Sequence, residues 1–235
     1  MFQGPKIFSE FSEIISYLWD RTLPMRSKQF HDESSDYSAW VSRLEEDYCV
    51  RKAFFLAQCQ SSDIVEITKD NLEDILFADA CFTRLRNITL NVVVADCCPI
   101  LLYDTRQKLV WVVHAGWRGT VSNIVSKTLS ALQKKYHSLP EDIYLALWPS
   151  ISQKHYEVWE EVALQFSPES VLRSGERYYL DLRAENLRQA LEYWIPTHNI
   201  EVSEDCTYEL SDRYFSYRRE WLRKNFVCGI GMKNS

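Results

Sequence analysis

The sequence predicts an α/β (α+β) domain with a mixed sheet and helices packed outside it, and three observations carry that prediction. Two apolar runs, Val92–Tyr103 and Leu109–Val113, are rich in Val, Ile and Leu and read as strands buried on at least one face. The turn Ala115-Gly116-Trp117-Arg118-Gly119 then leads into Val121, Ile124, Val125, Leu129 and Leu132, apolar residues at helical spacing. Downstream, strand-like and helical segments alternate, which argues for layers of sheet and helix. With 235 residues and 46% hydrophobic content the chain can bury a full core, and residues 1–235 are expected to form one domain.

In chain order, residues 1–50 are the least patterned. Phe11, Ile14, Ile15 and Leu18 suggest a short helix or an apolar run, and Trp40, Val41 and Leu44 suggest another, with Ser27–Ser38 polar and turn-like between them. Phe54–Ile67 reads as a strand, a Ser-Ser-Asp turn and a second strand, on which Cys59 faces away from Gln58 and Gln60. Asp104-Thr105-Arg106-Gln107 is expected to form a hairpin loop, so that residues whose numbers sum to 211 oppose each other and Cys97 faces His114. Directly opposed side chains have Cβ atoms roughly 4.5–5.5 Å apart, within reach of a shared metal ion or a thiol–imidazole hydrogen bond. Cys98 then points to the opposite face. Thr120 is expected to cap the following helix, whose free N–H groups favour an anion, and Arg118 adds a planar charged fork beside it. The plainer alternative is that Gly116 and Gly119 only shape a turn while Arg118 pairs with an acid. A thiol, an imidazole and a guanidinium converging on one turn favour a site.

Further along, Ile143–Leu147 reads as a strand, Tyr156–Phe166 as a helix, and Tyr178–Leu180 as a strand entering Asp181. Leu182–Trp194 is an expected amphipathic helix stopped before Pro196, and Glu201–Thr207 and Phe226–Met232 read as late strands. The cluster Tyr214, Phe215, Tyr217, Arg218, Arg219 and Trp221 either lines a pocket, with rings stacked on a flat substrate and arginines near its phosphate, or packs an edge. Asp181 and Asp205 either orient site residues or cap turns.

Composition narrows the partners. Net charge is −6, and no Lys/Arg run carries interleaved aromatics, which argues against nucleic acid. No apolar stretch approaches bilayer length and no export signal is evident, so a cytoplasmic protein without membrane partners is expected. Seven cysteines without framework spacing fit reduced thiols. Oligomeric state is open.

Asp96-Cys97-Cys98-Pro99 followed by His114-Ala115-Gly116-Trp117-Arg118-Gly119 resembles the YfiH family, also called the laccase-domain or multicopper polyphenol oxidase-like family. Ala78–Thr83, Pro149-Ser150-Ile151, Tyr156-Glu157-Val158, Asp181-Leu182-Arg183, Asn186, Cys206-Thr207-Tyr208 and Phe215–Arg219 follow in the family's order. The resemblance runs from Phe54 to the C-terminus; residues 1–50 are a divergent part in which Arg21 is a weak counterpart of the family's Thr-Arg-x-Gly-Gly motif. It implies an α/β/β/α arrangement and a zinc-dependent enzyme acting on purine nucleosides. The implied reactions are phosphorolysis of adenosine, inosine, guanosine or methylthioadenosine, and deamination of adenosine, so the partners are a nucleoside and phosphate. It also implies Cys97 and His114 as zinc ligands, with the third ligand, a histidine in the family, replaced here by Gln60. On this reading Cys97, His114 and Arg118 are catalytic, and Arg118, Gly119, Tyr217 and Arg218 bind substrate. His155 is the other histidine expected nearest the site. Two alternatives stand beside it: a metal-free hydrolase with Cys97 as nucleophile and His114 as base, and a non-catalytic binding or regulatory protein. True laccase chemistry needs clustered histidines that five dispersed ones do not supply.

Overall fold

Alternation of apolar side chains on the central strands sends successive residues to two different cores. A computed structural model describes residues 2–19, 25–26, 35–221 and 224–234. Its strands are β1 (Phe2–Gln3), β2 (Ile14–Trp19), β3 (Met25–Arg26), β4 (Lys52–Phe55), β5 (Ile64–Glu66), β6 (Ala80–Thr83), β7 (Ile88–Val94) and β8 (Cys98–Asp104). They continue with β9 (Leu109–Ala115), β10 (Ile143–Leu147), β11 (Glu157–Val158), β12 (Val171–Ser174), β13 (Arg177–Leu180), β14 (Ile200–Val202) and β15 (Lys224–Met232). The helices are α1 (Ser35–Tyr48), α2 (Trp117–Val121), α3 (Ile124–Tyr136), α4 (Glu160–Ala163), α5 (Leu182–Glu192) and α6 (Tyr217–Glu220).

One six-stranded sheet runs β1-β2-β15-β7-β4 with β3 on β15, the second runs β14-β10-β8-β9-β6-β5, and β11-β13-β12 form a small third sheet. The two large sheets pack face to face. Leu90, Val92 and Val94 of β7 and Phe226, Cys228 and Ile230 of β15 meet Leu101 and Tyr103 of β8 and Val110 and Val112 of β9. The intervening residues of the second sheet, Ile100, Leu102, Trp111 and Val113, face α3 and α5 through Ile124, Val125, Leu129 and Leu182. On the other side, Tyr17, Val93 and Val227 face α1 through Val41 and Tyr48. Burying each such large aliphatic side chain is worth about 1.5–3 kcal/mol, so the period-2 pattern determines which face each strand presents. The result is the expected α/β/β/α stack, a mixed arrangement with parallel pairs β4–β7, β5–β6 and β10–β14 among antiparallel ones.

Several local expectations are corrected. The run Val92–Tyr103 is not one strand: β7 ends at Val94 in the first sheet and β8 starts at Cys98 in the second. The hairpin register is Asp104↔Leu109 through Cys98↔Ala115, a sum of 213, so Pro99 and not Cys97 opposes His114. The loop is displaced because Asp104 stays paired while its Oδ1 accepts from the N–H groups of Arg106 at 3.0 Å and Gln107 at 2.8 Å. Lys108 at φ +50° closes the turn. Thr120 caps nothing: it lies buried inside α2, which starts after Gly116, and Asn123 in the left-handed region separates α2 from α3. In Tyr156–Phe166 only the four-residue α4 is α-helical, preceded by β11. The strand expected over Glu201–Thr207 is confined to Ile200–Val202. Of the polar segment Ser27–Ser38, residues 35–38 belong to α1; residues 27–34, with His31, and Arg21 lie outside the described residues. Among the described residues no helix is long and apolar enough to cross a membrane.

Candidate active site

The passage from β7 to β8 carries the chain from one sheet to the other within Ala95-Asp96-Cys97, and Asp96 makes the bend at φ +89°. Cys97 therefore escapes the strand ladder and lines a cleft of about 920 Å³, while Cys98 one residue on is wholly buried towards the helices. His114, the penultimate residue of β9, lines the same cleft, where the Cys97 sulfur is close enough to act on the charge of its ring. The pair predicted from an incorrect register thus meets through the sheet crossover instead.

His114 is held from behind by Asp79, which sequence reasoning left without a role. Asp79 is fully buried just ahead of β6, and its Oδ1 lies 2.7 Å from His114 Nδ1. That contact leaves Nε2 for the Cys97 sulfur. Its Oδ2 accepts from Ser61 N at 2.6 Å, Ser61 Oγ at 3.0 Å and Cys59 N at 3.2 Å. One carboxylate thus orients the imidazole and gathers the loop that carries Gln60. Burial works against the charged forms of both groups. For His114, the Cys97 sulfur and Asp79 outweigh burial and lift it to about 10, and His114 with Ser61 holds Asp79 below the usual carboxylate range.

Gln60 is not on a strand, so the alternation expected around Cys59 does not apply. β4 ends at Phe55, and Gln60 sits at φ +61° with its side chain on the cleft. Gln58 is tied to the Val93 backbone at 2.9 and 2.8 Å, and the Cys59 thiol turns to Asp79 at 3.5 Å. A Cβ on Gly116 would lie 2.8 Å from Gln60 Oε1 and 3.1 Å from Cys97 Sγ, so the glycine leaves a cradle onto which thiol and amide oxygen converge beside the imidazole. A thiolate, an imidazole and a carbonyl oxygen are all donor types that zinc accepts, with the amide the weakest of them. The residues present fit the ion.

The remaining walls are cationic and aromatic. Arg118 lies over the Trp117 ring at 4.3 Å and has no acidic partner among the described residues. Arg218 lies over Tyr156 at 5.1 Å and donates to the Glu157 carbonyl at 2.7 Å. Tyr217 and Trp221, half and largely exposed, complete the rim with Trp159. Of the aromatic-basic cluster, Tyr217, Arg218 and Trp221 line the cleft, while Tyr214 and Phe215 belong to the core. Arg219 bonds the carbonyls of Thr207, Tyr208 and Tyr214. Gly119 lies off the cleft, packed beneath the Ser61 carbonyl. His155 stacks on Tyr208 and pairs with Glu209 at 2.8 Å, away from the cleft. Asp181 caps α5 by accepting from Ala184 N, and Asp205 accepts from Tyr214 OH at 2.6 Å.

Comparison with known proteins agrees with this architecture. The family model for the multi-copper polyphenol oxidoreductase laccase matches residues 26–229. A Bacteroides thetaiotaomicron protein named purine nucleoside phosphorylase is 37% identical over 157 residues, 63% of this chain and 58% of the relative. The Geobacillus stearothermophilus purine nucleoside phosphorylase YlmD is 34% identical over 179 residues, 69% and 65% respectively, so the match spans less than two thirds of either relative's length. The crystal structure of YlmD from Geobacillus stearothermophilus superposes with a TM-score of 0.87 at 26% identity, covering 95% of this chain and 93% of that one. That of the Bacillus licheniformis hypothetical protein YfiH gives 0.84 at 23% identity, covering 96% and 94%. With the family model matched from residue 26 to 229 and the YlmD fold reproduced nearly end to end, the chain belongs to the multi-copper polyphenol oxidoreductase laccase family.

Proposed function

We propose that the cleft binds a purine nucleoside together with phosphate and splits the glycosidic bond by phosphorolysis. The observation that carries this reading is the convergence of the Cys97–His114 pair with two ring-mounted guanidinium groups, Arg118 and Arg218, around one aromatic-walled cleft. A phosphate oxygen forms a bond to C1′ of the ribose, the C1′–N9 bond breaks, and its electron pair leaves with the purine, which takes up a proton. Such a reaction needs a cationic seat for the dianion and a flat surface for the base. Arg118 provides the first, with Tyr217 and Arg218 also lining the cleft, and the Tyr156 and Trp117 rings provide the second. Asp79 keeps the His114 ring in one orientation, so that its reacting nitrogen stays on the Cys97 side of the cleft. Cys97, His114 and Gln60 would hold zinc, and the ion, when bound, supplies positive charge for a leaving group or for activating water. Water activation extends the reading to deamination of adenosine. The relatives named purine nucleoside phosphorylase support the reaction class.

The Asp79–His114–Cys97 chain of contacts favours one second reading, a metal-free thiol hydrolase in which His114 takes the Cys97 proton. Incubation of zinc-supplied protein with inosine, adenosine, guanosine or methylthioadenosine, with and without phosphate, separates the two by chromatography of the products. Phosphate-dependent release of free base, abolished in folded Cys97→Ala and His114→Ala, is expected. Undiminished activity in either variant removes the site assignment, and no free base from any of the four removes the reaction.

A further inference from the structure

We infer that Asp96 is the positioning residue of the wall formed by Tyr217, Arg218 and Trp221, and through that wall sets the cleft's affinity for its ligand. Asp96 is 6% exposed and uses both carboxylate oxygens inward. Oδ1 accepts from Thr207 Oγ1 at 2.7 Å, and Oδ2 accepts from Ser216 Oγ at 3.0 Å and from the Arg218 backbone N–H at 2.7 Å. Its carbonyl accepts from Ile151 N at 3.0 Å. The carboxylate thus ties the residue beside Cys97 to a segment more than a hundred positions later in the chain.

That segment cannot hold itself. α6 has four residues, far short of the length at which a helix is stable alone. Its N-cap is Ser216, whose Oγ accepts from Arg219 N at 3.1 Å while donating to Asp96, so the cap and the carboxylate form one relay. Below α6, Arg219 is pinned to three backbone carbonyls. Above it, Arg218 reaches the Glu157 carbonyl and the Tyr156 ring on the cleft side. Asp96 is the anchor between these contacts. Its backbone at φ +89° is one that a side chain rarely adopts, a conformation kept only where the surroundings over-determine it. The three hydrogen bonds supply that determination.

The geometry also says which substitution is tolerated. Asparagine can accept from Ser216 and Arg218 with its oxygen and donate to Thr207 Oγ1 with its amide, because a hydroxyl serves as either partner. Alanine can do neither.

The inference rests on the proposed reaction only for its kinetic readout, so the test has two arms. In the first, Asp96→Ala raises the KM for nucleoside about tenfold, the equivalent of roughly one hydrogen bond, with kcat within threefold, and Asp96→Asn restores KM. A fall in kcat at unchanged KM, or equal loss in Asp96→Asn and Asp96→Ala, overturns it. The second arm needs no substrate. Trypsin cuts after Arg218 and Arg219, and Asp96→Ala is expected to be cut there at least fivefold faster than wild type, with other sites unchanged. Equal cleavage rates overturn the positioning role whether or not the wild type cleaves nucleosides. Failure of the wild type alone to turn over nucleosides leaves this arm standing and refutes only the reaction. If Asp96→Ala does not fold, the double variant Thr207→Val, Ser216→Ala removes two of the three donors and is read in the same way.

Discussion

Replacing Asp79 by asparagine removes a charge from the centre of the site without changing its shape. The wild-type carboxylate is wholly buried and serves two groups of partners: His114 through Oδ1, and Ser61 with Cys59 through Oδ2. Asparagine has one acceptor oxygen. If that oxygen keeps the loop, its NH2 group faces the N–H of His114; if it keeps His114, four loop donors, the N–H groups of Ser61 and Cys59, the Ser61 hydroxyl and the Cys59 thiol, lose their acceptor. Breaking one partner of a buried ion pair costs about 3–5 kcal/mol, and the ability of His114 to shed its proton brings the expected loss to the lower end, about 3 kcal/mol. The pH window follows from the signs. His114 is raised from 6.5 to about 10, so its contribution is complete below 6.5 and is lost as pH rises through 10. Asp79 is depressed below 3.8, so its contribution is present above that value and is lost as pH falls beneath it. Urea unfolding of metal-free wild type and Asp79→Asn at pH 5.5, 7 and 10.5 should therefore give the largest difference at the lowest of these pH values and the smallest at the highest. A difference below about 1 kcal/mol at pH 5.5, or one that grows with pH, refutes the arrangement.

Other consequences are as direct. Gly116→Ala brings a Cβ against the ends of two side chains, Gln60 and Cys97, which can move, so the unfolding midpoint should stay within a few degrees while nucleoside turnover is lost. Gly231→Ala drives a Cβ into the Ile88 backbone carbonyl inside the first sheet, and should cost about 1–3 kcal/mol or prevent folding. Gln60→His replaces a neutral amide by an imidazole, and should raise zinc content after dialysis, measured by elemental analysis; equal content in both proteins removes Gln60 from the ligand set. Glu13 is held down at about 2 by Lys108 and Tyr103. Its stabilisation is present above 4.5 and lost as pH falls through 2, and because Lys108 is about half exposed it amounts to less than about 1 kcal/mol. The gap in urea midpoint between wild type and Glu13→Gln should close over that interval.

The elements that could be read from the sequence are those whose pattern is local. Strands β8, β9, β10 and β15 lie in short runs rich in apolar residues, α3 and α5 show helical spacing, and Asp181 at the start of α5 is a capping residue by type and position. The HAGWRG hexapeptide carried the family, His114 and Arg118 could be named from it, and Cys97 from the Asp96-Cys97-Cys98-Pro99 stretch ahead of it. What lay beyond the sequence depended on contacts between distant segments. The run from Val92 to Tyr103 is interrupted only around Asp96 and Pro99, and because both halves are equally apolar nothing local says that they belong to different sheets. Pairing register depended on a side chain, Asp104, taking over the turn's N–H groups. Asp79 and Asp96 each look like an ordinary strand-end aspartate, and only their burial and their donors make them organisers of the cleft. Arg218 meets the thiol turn only because the two sheets pack, bringing residues more than a hundred positions apart to one wall. Hydrophobic periodicity is a property of neighbouring residues and is written in the chain; the partner of a buried charge is chosen by tertiary packing.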